Sequence, residues 1–259
     1  MKKCSLLFIV LLLMLASFTA GMEYQRGDVD QNGQVNIADV TCLIDYLMTG
    51  VWPDDPVPEE HEYVDLGLPS GTLWATMNIG ANAPEEYGDY FAWGEIEPKE
   101  VYDWTTYKWC EGAESTLTKY CSKSEYGTVD TLTELEPEDD AAYVNWGPEW
   151  CMPTQAQQEE LVDKCTWTWT TMNDVLGFEV TGPNGNTIFL PSGSSWSGDS
   201  QPSYSGYGNY WSRTLLWGGP NNARAMYFGS LPWYYWSSRY LGYSVRAVRV
   251  SQTTTSVRL

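Results

Sequence analysis

The stretch Tyr204–Arg249 reads YSGYGNYWSRTLLWGGPNNARAMYFGSLPWYYWSSRYLGYSVRAVR. Trp, Tyr, Ser, Gly, Asn and Arg supply most of it. No Asp or Glu follows Asp199, whereas Arg213, Arg224, Arg239, Arg246, Arg249 and Arg258 all do. Tyr and Trp give broad contact area at low entropic cost, and Ser, Gly and Asn give adaptable hydrogen bonds. An aromatic-rich β core with Gly/Ser turns draws on the same residues, so composition leaves core and contact surface both open. The candidate contact residues, chosen for their density among Gly and Ser, are Arg224, Tyr227, Trp233, Tyr234, Tyr235, Trp236, Arg239, Tyr240 and Tyr243.

Outward from this stretch the pattern is one of short strands. SVRAVRV closes the body, FEVTGPNGNTIFLP reads as a hairpin around Pro183-Asn184-Gly185, and EYVDLGLPSGTLWATMNIG reads as two strands around Pro69-Ser70-Gly71. Thr154 followed by Gln157 has capping-box spacing and predicts a helix from Gln155 to about Lys164. PEDDAA at 137–142 suits a short helical turn. Few helices, many short strands and long loops predict an α+β domain over 62–250.

Upstream, residues 1–21 read as a secretory signal, with Lys2 and Lys3 before the apolar run Leu6–Leu15 and small residues after it. That run is too short for a membrane span. The expected location is therefore extracellular or at the cell surface, with no transmembrane span in the mature chain. Residues 51–61, which begin VWPDDPVPEE, make a stiff acidic linker, and 251–259 form a tail. The formal net charge of −20 opposes nucleic acid and anionic membranes as partners. Five cysteines follow the signal. Cys110 with Cys121 and Cys151 with Cys165 are the short-range pairings, other connectivities remain open, and free buried thiols are the alternative, with Cys42 left over.

GDVDQNGQVNIADVTCLIDYLMTG at 27–50 carries the most specific spacing in the chain. Asp28, Asp30, Asn32, Asn36 and Asp39 fall at loop positions one, three, five, nine and twelve; Gly33 sits at the sharp turn, and Gln34 offers its carbonyl at position seven. A hard cation needs such a set of oxygens, so Ca²⁺ is the expected cofactor. An amphipathic helix with Ile37, Val40, Leu43, Ile44 and Leu47 on one face should follow. Residues 22–50 closely resemble one repeat of a type I dockerin. Dockerins carry two repeats and dock onto a cohesin. With half of that module missing, the resemblance implies calcium binding and leaves cohesin binding without its usual basis.

A second resemblance covers Glu62 to Val250. VDLGLPSGTLWATMNIGA, YFAWGE, WCMPTQAQQEEL, CTWTWT, VTGPNGNTIFLP, YWSRTL and GYSVRAVR occur in the order seen in the Fibrobacter succinogenes major paralogous domain family. This resemblance implies a C-type-lectin-like fold in an exported bacterial protein. Some lectin-fold domains of this kind are the variable proteins of diversity-generating retroelements. NNARAMYFGSLPWYYWSSRYLGYSVRAVR looks like their diversified segment, with Phe228, Ser230, Arg239, Gly242, Ser244, Val245 and Arg246 as framework.

One histidine, His61, gives no Ser-His-Asp, Cys-His or His-metal constellation. The sequence thus leads to a non-enzymatic protein that binds a protein or glycan ligand. The rival reading is a carbohydrate-active enzyme or an accessory module of a surface glycan-degrading system.

Overall fold

A computed structural model describes residues 61–200 and 206–250, together with Val40, Leu43 and Ile44. The chain divides into two compact units, Met1–Val57 and Pro58–Leu259. In the first unit Val40, Leu43 and Ile44 are helical, in the segment where the apolar spacing predicts a helix. The calcium loop Asp28–Asp39, the signal, the linker through Glu60, Cys42 and the tail lie outside the described residues.

The second unit consists mainly of sheet. The strands are β1 (Tyr63–Asp65), β2 (Thr72–Ala75), β3 (Tyr90–Phe91), β4 (Thr166–Met172), β5 (Val175–Thr181), β6 (Thr187–Pro191), β7 (Gly208–Leu215), β8 (Asn222–Phe228), β9 (Pro232–Ser238), β10 (Tyr243–Ser244) and β11 (Val248–Val250). They form three sheets, in the orders β1-β2-β11, β3-β10-β7-β8-β9 and β4-β5-β6. The α-helices of this unit, among the described residues, are α1 (Ala141–Trp146), entered through a short 3-10 turn at Pro137–Asp139, and α2 (Gln155–Lys164).

This corrects the expected α+β, C-type-lectin-like class. Among the described residues 35% are strand and 12% helical, in three sheets. The physical reason is local. In the second unit α-helix is limited to two runs of 6 and 10 residues. The rest is rich in Thr, Trp, Tyr, Val, Gly and Ser, which favour pleated strands and turns. TWTWTTM is an extreme case, forming β4 paired residue by residue with β5.

Several local expectations are met in detail. Thr154 Oγ1 accepts from the Gln157 N–H, while the Gln157 side chain accepts from the Thr154 N–H at 2.8 Å, closing the capping box at the start of α2. Thr154→Ala is expected to cost about 1 kcal/mol in urea unfolding. Asp140 caps α1 by accepting from the N–H groups of Ala142 and Tyr143. Its carboxylate also accepts from the Met152 N–H, which ties α1 to the strand-like entry into α2. Burial raises the Asp140 pKa, and those N–H groups oppose the rise. The β5–β6 hairpin turns at Gly185, whose φ of +89° no other residue type adopts cheaply.

Three clusters make the core. The first centres on Phe91, Trp93, Trp211, Tyr243 and Val245; the second on Trp74, Leu161, Phe178, Tyr210, Met226 and Phe228; the third on Tyr102, Tyr107 and Leu117. Gly208 allows Phe228 to seat, since a Cβ there would meet the ring at 2.1 Å. Two fully buried arginines pin the clusters to the surrounding loops. Arg246 donates to Asn78 Oδ1 at 2.9 Å, Ala75 O at 3.2 Å and Phe189 O at 2.9 Å, joining β2, β6 and the chain after β2. Burial pulls its pKa down to about 10, still well above neutral, so it stays charged. The four described cysteines, Cys110, Cys121, Cys151 and Cys165, carry free thiols. Burial pushes the Cys165 thiol up to about 11.

Candidate binding surface at a strand edge

β9 is the outer strand of the five-stranded sheet, with β8 on one side and no strand on the other among the described residues. Its sequence PWYYWSS forms strand because Trp and Tyr favour the pleated conformation and no helix former interrupts them. Register fixes which side chains share a face. Trp233 and Tyr235 lie opposite Tyr227 and Ala225, while Tyr234 and Trp236 lie opposite Met226 and Arg224.

Alternation sends Tyr235 inward. Its hydroxyl donates to Asn209 Oδ1 at 2.7 Å and lies 2.8 Å from the Tyr243 hydroxyl, which in turn meets Ser237 Oγ at 2.8 Å. Burial pushes the Tyr235 pKa upward, and the neighbouring Tyr243 adds to the rise. Tyr235 therefore anchors β9 to the core. Tyr234 and Trp236 lie on the opposite face, while Trp233 shares the face of Tyr235 near the start of the strand. Trp233 is 66% exposed, Trp236 55% and Tyr234 41%. The Trp233 and Tyr234 rings run nearly parallel, 15° apart with centroids 6.0 Å apart, at the strand edge. Tyr227 is half-buried and stacks on Tyr207 at 5.7 Å, extending the aromatic band inward along the sheet.

The predicted contact residues thus divide. Trp233, Tyr234 and Trp236 form the exposed edge, with Tyr227 and Arg224 half-buried beside it. Tyr240 is half-buried against Trp104, edge to face at 5.1 Å. Arg239 and Tyr243 lie in the core. Arg239 is fully buried and donates to Tyr107 Oη at 2.7 Å, Tyr120 O at 3.0 Å, Pro220 O at 2.9 Å and Lys119 O at 3.1 Å. Tyr243 stacks on Trp211 at 4.3 Å.

The acid-free run of arginines resolves in the same way. Arg213 pairs with Glu134 at 2.8 Å and Arg249 with Glu149 at 2.8 Å, while Arg239 and Arg246 are buried. Arg224 differs from these. Its guanidinium lies 5.9 Å from the Trp236 ring centroid, it forms no salt bridge among the described residues, and its buried Nε has no hydrogen-bond partner.

Some exposed apolar side chains escaped the composition reading. Leu231 is 73% exposed just before β9, Trp217 is 51% exposed at the β7–β8 turn, and Tyr207 is 43% exposed. Trp217-Gly218-Gly219 and Gly206-Tyr207-Gly208 are the signals that mark the last two, because adjacent glycines offer an aromatic few side chains to bury it.

A separate cavity of about 390 Å³ is lined by His61, Ile79, Asp89, Asn145 and Trp146 among others. His61 stacks on Trp146 at 3.8 Å, and Trp150 meets the same indole edge to face at 5.2 Å. Most of the Trp146 ring surface is thereby already used within the fold. Among the described residues no group of three or more His, Cys, Asp or Glu could hold a metal ion, and no helix is long and apolar enough to cross a membrane. No family model matches the chain, and neither a curated protein nor a solved structure matches it.

Proposed function

We propose that this chain is an exported ligand-binding or adhesion protein whose contact surface is the aromatic edge of β9. One observation carries the reading. Trp233, Tyr234 and Trp236 stand exposed on an edge strand that Tyr235 holds rigidly from behind. Isolated exposed aromatics are ordinary on protein surfaces. A contiguous group of them, fixed by a buried anchor and flanked by a half-buried arginine, has the make-up of an interface hot spot. The test is a screen of the full chain against immobilised glycans and random peptides. Each retained ligand should protect Trp233 and Trp236 from oxidation by N-bromosuccinimide. Ligands that leave both indoles reactive would overturn the assignment.

The burial pattern also favours a diversified C-terminal segment, as in the variable protein of a diversity-generating retroelement. Of the framework residues, Phe228, Arg239, Gly242, Ser244, Val245 and Arg246 are buried and Ser230 is exposed, whereas Trp233, Tyr234 and Trp236 between them are exposed. Changes at the exposed positions would leave the core intact. A neighbouring reverse-transcriptase gene and a near-identical repeat of the 3′ coding end are the expected genomic context.

The N-terminal loop is proposed as a calcium site independent of this surface. Calcium uptake that depends on Asp28 would report on the loop. Calorimetry should show binding heat that Asp28→Ala abolishes; heat unchanged by that substitution would remove the assignment.

A further inference from the structure

We infer that the β9 edge accepts an acidic, extended polypeptide segment as an added strand. This inference rests on the reading of β9 as the contact surface, and it specifies what that surface takes.

Three observations lead there. First, the outer backbone of β9 faces no strand among the described residues. An edge strand presents a row of free N–H and C=O groups, and proteins usually blunt such edges with lysines, internal prolines, bulges or a covering element. Among the described residues β9 has no lysine, internal proline or bulge, and the helix that meets it, α2, lies on a face of the sheet. It is seven residues long, carries no charge, pairs with β8 in continuous register and has its only proline at the first position. Its backbone is therefore suited to strand addition, in which main-chain hydrogen bonds supply affinity and side-chain pockets supply selectivity.

Second, the exposed aromatics are placed to receive alternate side chains of such a strand. Trp233 lies on one face of the sheet and Trp236 on the other, so an incoming strand would have both faces gripped at once.

Third, charge selects the occupant. Arg224 faces Trp236 across the β8–β9 register and has no carboxylate partner among the described residues. No Asp or Glu lies between residue 200 and the end of the chain, although the whole protein carries −20. α2 crosses this face of the sheet and brings Glu159, Glu160 and Asp163; Glu159 is engaged by Gln155 and Glu160 by Ser70, while Asp163 is exposed to solvent and no salt bridge joins it to Arg224 among the described residues. A second copy of the chain, pairing β9 with β9, would bring no carboxylate beside Trp236, because β9 contains no Asp or Glu. A carboxylate on the strand added beside Trp236 would instead complete a charge-assisted pair over the indole face.

The test is display selection of random twelve-residue peptides on the full chain. The expected winners carry Asp or Glu at alternate positions. They should lose affinity at least tenfold when every second amide is N-methylated, which blocks backbone pairing and leaves the side chains. Arg224→Gln should weaken them about tenfold, within the range for losing a hydrogen bond to a charged group, and Arg224→Lys should recover part of the loss. Higher salt should weaken them further. Absence of enrichment, enrichment of neutral or basic peptides, or indifference to N-methylation would overturn strand addition. So would a dimer in sedimentation that Trp233→Ala dissolves. Glycans or non-extended peptides that still need Trp233 and Trp236 would overturn this inference and leave the contact surface standing. Retained ligands that need neither indole would remove both.

Discussion

Arg239→Ala is expected to cost about 3–5 kcal/mol of stability, enough to shift the urea midpoint well below that of the unmodified protein. The side chain is fully buried and lies against the faces of Trp93 and Tyr107, 4.9 and 5.2 Å from their centroids. It donates to three backbone carbonyls, of Lys119, Tyr120 and Pro220, and to the Tyr107 hydroxyl. Each acceptor left without a partner in that interior costs about 1–3 kcal/mol, and the void adds to the loss. The Tyr107 hydroxyl in turn donates to Trp93 O at 2.7 Å, so the disturbance reaches the first core cluster. Arg239→Lys should recover little, because an ammonium on a flexible stem cannot reproduce the guanidinium fork. A loss below about 0.5 kcal/mol for Arg239→Ala, the size of an ordinary surface change, would contradict this placement.

Trp236→Ala should do the reverse. Its unfolding midpoint should stay within about 0.5 kcal/mol of the unmodified protein, because more than half of the side chain is already in water. Ligand affinity should fall by on the order of thirtyfold or more, since truncating a central interface tryptophan typically costs at least about 2 kcal/mol of binding. The loss has two sources. One is the indole's own contact area. The other is the release of Arg224, whose guanidinium lies over that indole and whose Nε has no hydrogen-bond partner. Equal affinity of the variant and the unmodified chain, measured on any ligand that protects Trp236 from oxidation, would show that the indole is a bystander.

These two substitutions lie three residues apart and are predicted to act on different properties. Composition shows why a reading of the sequence alone groups them. Arg239 and Trp236 both occur in LPWYYWSSRYLGY, among Ser and Tyr, and the run carries no marker of which side chain turns inward. Strand alternation separates Tyr235 from its neighbours only once the ends of β9 are known. It does not reach Arg239, whose position is set by loop carbonyls of residues 119, 120 and 220. Such long-range acceptors have no signature in sequence. Local chemistry was more legible. The Thr154–Gln157 capping box, the Asn184-Gly185 hairpin and the Pro69-Ser70-Gly71 turn follow from residues a few positions apart. The balance of helix and sheet was less so, because two short helices with clear caps stand out in a chain whose strands are short and interrupted by loops.

On the proposed reading the molecule binds through the exposed edge of β9, while the buried parts of the same segment only hold it in place. The most direct test is a titration of the Trp233→Ser, Trp236→Ser double variant beside the unmodified full chain. Both would be titrated with a ligand selected on the unmodified protein, and their urea unfolding would be recorded in parallel. The account predicts affinity reduced by on the order of a hundredfold or more, with an unfolding midpoint that does not move. Undiminished affinity in a folded double variant would contradict it.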